Sequence, residues 1–196
     1  MLFRSMAERD NVCKQIHMPL QAGNSRVLKK MNRTYTKEAF LALVDTIRDI
    51  MPNVNLSTDI IVGFPTETAE EFEDTLDVVR KVAFDTAFMF KYSERPNTTA
   101  SRRFPDDVSD ADKKTRIMAL NELQSSISLK KNEAHVGTIQ KVLVEESLSK
   151  KSDIKTVARN DGNTLVIIPD LQEPLGTLMD VKIVSASPHA LRAEKL

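Results

Sequence analysis

The sequence predicts two folds in series: an α/β sheet of parallel βα units, followed by a small closed β-barrel of the oligonucleotide-binding kind. Three observations carry this prediction. Strand candidates recur at intervals of about 30 to 40 residues with amphipathic helices between them, the parallel βαβ arrangement. Near residues 133–137 the texture changes to short strands separated by turn residues, as in a small barrel. All five glycines (Gly23, Gly63, Gly137, Gly162, Gly176) fall at predicted turns or helix ends, where their conformational freedom is useful.

Residues 12–20 (VCKQIHMPL) read as the first strand, ended by Pro19, with no helix before it. A polar turn runs from Gln21 through Gly23 and Asn24, and Ser25 is placed to cap a short helix carrying Val27, Leu28 and Met31. Thr36 precedes a stronger helix with Phe40, Leu43, Val44, Ile47 and Ile50 on one side and Pro52 as its stop. Residues 56–79 give the most complete unit. Leu56, Ile60, Ile61 and Val62 read as a buried strand, Gly63, Phe64 and Pro65 as a tight turn, and Thr68 with Glu71 as a capping box. Phe72, Leu76, Val79 and Val82 form its helical stripe, with Arg80 and Lys81 at the end that the helix dipole favours for cations.

Residues 84–92 alternate Phe84, Thr86, Phe88, Phe90 and Tyr92 against Asp85, Met89 and Lys91, which predicts a strand. A polar loop (94–108) follows. Ser109 then caps a long charged helix to about Ala134, with Ile117, Leu120, Leu123 and Ile127 as its stripe and Gly137 just beyond. Residues 139–145, 155–159, 165–168 and 178–186 are the short strands of the barrel. The expected domains are 1–134 and 135–196. A parallel sheet of three strands needs cover on both faces and more strands, so the first domain looks like half of something, with an exposed edge near Val12.

Composition narrows the function. Lys and Arg number 28 against 28 Asp and Glu, for a formal net charge of +0, so there is no overall bias toward nucleic acid. A local basic face can still sit inside a neutral total. No run suits a signal peptide or a membrane span, so a cytoplasmic location without membrane contact is expected. The single cysteine, Cys13, excludes a disulfide framework or a multi-cysteine cluster site within the chain and reads as a small buried residue. His17, His135 and His189 show no metal-ligand spacing, and His17 reads as a packed strand residue. Aromatics are only 5%, so base-stacking platforms are scarce.

Several residues could carry chemistry. The 63–67 loop opens a helix, where backbone N–H groups favour an anion, although a well-capped βα turn is the simpler account. Gln21 and Asn24 occupy the equivalent loop after the first strand. Asp59 is a carboxylate within an apolar strand, facing either a ligand cavity or a partner cation. Arg95 could supply that cation, grip a ligand carboxylate, or stand in solvent. In the tail, Lys150 and Lys151 in a loop, with Lys155 and Arg159 behind them, could contact RNA phosphates. Eight basic and eight acidic residues from Val136 onward cancel, so any RNA face there must come from clustering.

A family resemblance now becomes specific. HMPLQAGN (17–24) with RVLKKMNRTY (26–35), TDIIVGFPTET (58–68) and FKYSERPNT (90–98) resemble the fourth-, fifth- and sixth-strand motifs of radical S-adenosylmethionine methylthiotransferases. Val144, Glu145, Ser149, Lys150, Lys151, Ala158, Arg159 and Asn163 resemble the TRAM RNA-binding domain that closes those enzymes. The match covers nearly the whole chain in the right order. It implies the carboxyl-terminal portion of an incomplete (β/α) TIM-like radical SAM barrel followed by an OB-like TRAM barrel.

Tyr92, Ser93, Arg95 and Pro96 resemble the branch that adds a methylthio group to C2 of N6-isopentenyladenosine in tRNA. A branch acting on an aspartate of a ribosomal protein ranks second, and a non-catalytic RNA-binding protein is a rival from another class. The resemblance implies S-adenosylmethionine and [4Fe-4S] clusters as cofactors and the tRNA anticodon stem-loop as partner. It places Gln21, Ser57 and Asp59 near the methionine or ribose of S-adenosylmethionine, and Tyr92 and Ser93 beside its adenine. Lys150, Lys151 and Arg159 become the RNA contacts. The family's CxxxCxxC loop has no counterpart in these 196 residues, so the chain alone is expected to be inactive, its amino-terminal half supplied separately or missing. Ala22 and Asn24 stand where the family usually has Ser, and Thr66 and Asn97 where it usually has Gly.

Overall fold

The computed structural model describes residues 2–150 and 153–196, with side chains described outside 147–155. It divides into two compact units: residues Ile16–Pro52 with Leu56–Gln124, and residues Met1–Gln15, Asn53–Asn55 and Ser125–Leu196. In chain order the elements of the first part are α1 (Leu2–Ala7), β1 (Gln15–His17), α2 (Ser25–Lys30), α3 (Lys37–Ile50), β2 (Asn55–Val62), α4 (Ala69–Val82), β3 (Thr86–Lys91), α5 (Thr99–Arg103) and α6 (Asp110–Glu133). The sheet has the order β1-β2-β3. β2 and β3 pair in parallel, with Ser57 opposite Thr86, Asp59 opposite Phe88 and Ile61 opposite Phe90.

The side-chain period of two gives this sheet two different faces. Leu56, Thr58, Ile60 and Val62 are fully buried, as are or nearly are Phe40, Val44 and Ile47 of α3 and Phe72, Leu76, Val79 and Val82 of α4. Each fully buried side chain of this size contributes roughly 1.5–3 kcal/mol of transfer free energy. The opposite face carries His17, Ser57, Asp59, Ile61, Phe88 and Phe90. Phe88 and Phe90 are 53% and 54% exposed, so the aromatic alternation that predicts β3 marks a face without cover within this unit.

Local signals explain most helix starts. Thr36 accepts from the Ala39 N–H, and Thr68 and Glu71 form the expected capping box. Ser109 accepts from the Asp112 N–H at the head of α6. Several expectations are corrected. Asn24, not Ser25, caps α2, its side-chain Oδ1 accepting from the Arg26 and Val27 N–H groups, because Asn24 has the extended backbone a cap requires. Ser25 Oγ accepts from Lys37 N instead. A helix, α1, precedes the first strand. That strand is only Gln15–His17, with a further parallel bridge from Gln21 to Ile60. Residues before it turn around Lys14, whose ammonium donates to the carbonyls of Met6, Arg9 and Val12. Cys13 lies in that turn and is exposed, and Leu43 is also exposed.

The barrel strands are β4 (Ile139–Lys150), β5 (Asp153–Asn160), β6 (Leu165–Pro169), β7 (Leu178–Ala186) and β8 (Leu191–Lys195), closed in the order β4-β5-β6-β8-β7. β8 is a fifth strand where four were expected. Its inward residues are only Leu191 and Ala193, too few to signal a strand from pattern. Val142, Ala158, Val166, Ile168, Val181, Ile183, Leu191 and Ala193 fill the interior. Bulges after Val144 and Ile183 add the local twist that closing five strands demands. At the tip of the β5–β6 turn Asn55 Nδ2 donates to the Gly162 carbonyl at 2.8 Å, and a Cβ on Gly162 would meet that amide at 2.3 Å. A side chain at 162 would displace Asn55 and its bond.

Candidate functional site

The loops that follow β1, β2 and β3 lie at the carboxyl end of a parallel sheet, the end where such folds bind ligands. After β1 the chain passes through Gln21, buried and held at φ +67, a left-handed conformation that a non-glycine residue adopts at some cost. Its backbone bonds to both neighbours on β2, donating to the Asp59 carbonyl and accepting from Ile61 N–H. Its side-chain oxygen accepts from Arg33 at 2.8 Å. Gly23 follows with its N–H on Thr75 Oγ1, and a Cβ there would overlap the α4 backbone at 2.4 Å.

After β2, Gly63 at φ +71 lies under the stem of Lys113, which a Cβ would meet at 2.4 Å. Glu67 closes this loop from inside. Its carboxylate accepts from Gly63 N–H at 2.7 Å and from Arg116 at 2.6 Å, with a side chain only 1% exposed. Burial pushes the Glu67 carboxyl above its usual range, against the pull of the Gly63 N–H and Arg116. Thr66 takes φ +70, and its N–H donates to Asp107 at 2.6 Å while Arg26 donates to its carbonyl and Lys30 to its hydroxyl. Arg26 also pairs with Glu71 and holds that carboxyl below its usual range. Positions 66 and 97, where the resembling family uses glycine, both have positive φ here (+70 and +67). Both positions thus take a conformation that glycine adopts without strain.

After β3, Tyr92 packs edge-on against Phe64 with centroids 5.2 Å apart, and Lys113 Nζ sits 5.5 Å over its ring. Lys113 is buried and bonded to both carboxylate oxygens of Asp106. Burial pushes the Tyr92 phenol up, with Glu94 and Asp106 adding to it. Ile61, Phe90, Tyr92, Ser93, Arg95 and Ala100 line an open cleft of ≈ 550 Å³. That size suits a nucleoside-scale ligand, since small-molecule sites run about 300–1,000 Å³.

On the uncovered face His17 joins two expected residues: Nδ1 lies 3.0 Å from Ser57 Oγ and Nε2 3.3 Å from Asp59 Oδ2. His17 is therefore a half-exposed strand residue, bonded to both and edge-on against the Phe88 ring, and Asp59 pairs with it and not with Arg95. Each ring nitrogen thus has an oxygen partner, and the tautomer decides which of the two donates.

Two family models match the chain: the Radical SAM superfamily over residues 2–79 and the TRAM domain over residues 133–196. Curated relatives match almost from end to end. The tRNA-2-methylthio-N(6)-dimethylallyladenosine synthase of Clostridium botulinum is 43% identical over 195 residues, 100% of this chain and 43% of that one. That of Flavobacterium psychrophilum is 41% identical over 189 residues, 96% of this chain and 39% of the relative. The chain belongs to the radical S-adenosylmethionine methylthiotransferase family. It spans about two fifths of the length of these relatives and corresponds to their carboxyl-terminal part. A solved coproporphyrinogen III oxidase from Escherichia coli overlaps 76% of this chain and 41% of its own, at 18% identity and a TM-score of 0.48. That overlap is too loose to bear on the site.

The radical SAM family uses S-adenosylmethionine and iron–sulfur clusters. A cluster does not fit the residues present: Cys13 stands alone, and among the described residues no group of three His, Cys, Asp or Glu could hold a metal. Of the expected site residues, Tyr92 and Ser93 meet in the cleft, Ser57 and Asp59 meet through His17, and Gln21 reaches the same β2 strand through its backbone. Arg159 donates to Glu145 and to the Asn163 carbonyl. Lys150 ends β4 opposite Asp153, with its side chain outside the description, and Lys151 lies outside the described residues. The residues that sequence reasoning missed are His17, Arg33, Glu67, Lys113 and Arg116. Only the spacing of Lys113 and Arg116 on one face of α6 hinted at the last pair. No described helix is long and apolar enough to cross a membrane.

Proposed function

We propose that this chain is the carboxyl-terminal part of a tRNA methylthiotransferase, which adds a methylthio group to C2 of N6-isopentenyladenosine. The end-to-end match to synthases so named carries this reading, with residues 92–96 resembling the tRNA branch and not the ribosomal-protein branch. In this reading the chain supplies one wall of the S-adenosylmethionine site and a TRAM module, with the rest of the enzyme contributing the cluster ligands. Gln21, Ser57 and Asp59 present acceptors toward the amino-acid and ribose parts, and Tyr92 and Ser93 border the adenine. S-adenosylmethionine, when bound to the complete enzyme, supplies the methyl group and the radical. The residues here bind and orient it. Lys150, Lys151 and Arg159 are the barrel's contribution to holding the anticodon stem-loop. The cytoplasm, where tRNA is modified, is the matching compartment.

A chimera tests the reading. This chain replaces the matched carboxyl-terminal part of the Clostridium botulinum synthase in cells lacking their own enzyme, and tRNA nucleosides are analysed by mass spectrometry. The 2-methylthio nucleoside is expected with the chimera and absent with this chain alone. A chimera that folds, carries its clusters and leaves tRNA unmodified would contradict it. Reconstituting the chain alone with iron and sulfide is expected to give no stoichiometric cluster.

A further inference from the structure

His17 ties together two side chains of the neighbouring strand. Ser57 and Asp59 alternate with the fully buried Thr58 on β2, so both side chains stand on the open face of the sheet. The His17 imidazole, at the end of β1, reaches both: Nδ1 is 3.0 Å from Ser57 Oγ and Nε2 3.3 Å from Asp59 Oδ2. Phe88 of β3 packs edge-on against the ring, with centroids 6.1 Å apart. One ring, held from the side, thus fixes a hydroxyl and a carboxylate together.

Strand pairing does not need this contact. Backbone bonds join the two segments on either side of it, from the Met18 N–H to the Ser57 carbonyl and from the Gln21 N–H to the Asp59 carbonyl, both at 2.8 Å. Asp59 also differs from the other acids of the unit. Glu67, Glu71, Asp74 and Asp106 each meet a Lys or Arg, whereas Asp59 meets none among the described residues. Its side chain is 33% exposed and shares the open face with Ile61, Phe88 and Phe90. A carboxylate in such surroundings is stabilised by a cation brought to it. The fit is to a positively charged ligand.

We infer that His17 is a positioning residue that aims the Asp59 carboxylate at the sulfonium of S-adenosylmethionine, so that this ligand is preferred to S-adenosylhomocysteine, whose sulfur is neutral. The sulfonium joins the amino-acid and ribose parts toward which Ser57 and Asp59 stand, and its charge is permanent. A carboxylate locked by packing and hydrogen bonds keeps an aim that a freely rotating one loses. The inference rests on the reading that this face is one wall of the S-adenosylmethionine site, and adds to it a residue and a selectivity.

The test uses the chimera with the Clostridium botulinum synthase, carrying its clusters and kept without reductant so that no ligand is consumed. Calorimetric titration gives the affinity for S-adenosylmethionine and for S-adenosylhomocysteine. The parent is expected to favour S-adenosylmethionine by about tenfold, the effect of one charge pair in a half-exposed site. His17→Gln keeps an amide where Nε2 stands and is expected to retain that preference. His17→Asn keeps an amide only where Nδ1 stands, on the Ser57 side, and is expected to bring the ratio to about twofold or less. Thermal unfolding should match for all three. An unchanged ratio in the folded Asn variant, or equal weakening of both ligands, would overturn the positioning role and leave the reading of the site in place. A parent without preference would overturn the sulfonium contact. A cluster-bearing parent that binds neither ligand would overturn the inference and the reading together.

Discussion

The two units solve the same burial problem in opposite ways. In the barrel every strand has a partner on each side, and the apolar residues point inward to a closed core. In the α/β unit the helices cover one face of a three-stranded sheet, while Phe88 and Phe90 stand half-exposed on the other. Closure turns the barrel's apolar side chains into a sealed core, whereas the open sheet keeps a cleft and left-handed loop residues at its carboxyl end. Stability and binding are therefore segregated, as expected where ligand loops sit on a rigid scaffold.

Core truncation should expose this difference most strongly. Ile183→Ala in the barrel is expected to cost about 2–5 kcal/mol in chemical denaturation, the usual range for a fully buried aliphatic. Phe90→Ala should cost less than about 1 kcal/mol, because its ring is already half in water. Equal costs would mean that the open face is covered by something in solution.

Next in size is the buried pair under the β2 loop. Arg116→Met leaves the Glu67 carboxylate buried without its cation and is expected to cost about 3 kcal/mol. The pH response has opposite signs at two neighbouring sites. Glu67 is raised in the native state, so its contribution is present below the unfolded value of about 4.3 and is lost as pH rises through the native value. Glu71 and Asp74 are lowered, by Arg26 and by Lys37 with Asn24, so their contributions exist above about 4 and vanish as pH falls. Glu71→Gln should accordingly shallow the acid limb of a stability–pH curve, and an unchanged limb would refute the pairing with Arg26.

Glycine substitutions give the smallest contrast. Gly137→Ala, beside open space at φ +87, should cost about 1 kcal/mol from backbone strain alone. Gly63→Ala adds an overlap with Lys113 and should cost more. Thr66→Gly relieves a left-handed β-branched residue and should raise the unfolding midpoint by an amount worth under about 1 kcal/mol, since it also forfeits the hydroxyl's bonds.

What the sequence made legible was local. Thr36, and Thr68 with Glu71, announce their helices because a cap is decided within four residues. The barrel was readable from alternation in every strand but β8, whose charged outer residues outnumber its inward ones. The Ser57–His17–Asp59 contact was not readable, because it depends on the register of parallel strands forty residues apart. Nor was the burial of Lys113 and Arg116, since a charged side chain enters a core only when another segment brings its carboxylate. The family resemblance named Tyr92, Ser93 and Arg95 but not Lys113, which only the packing of α6 brings over the Tyr92 ring.

Hydrogen exchange on the full chain tests the central contrast most directly. The slowest amides are expected in the closed barrel strands, with faster exchange along β3, the edge of the open sheet whose Phe88 and Phe90 stand in water. Protection of β3 equal to that of the barrel would contradict the account and mean that this face is covered in solution.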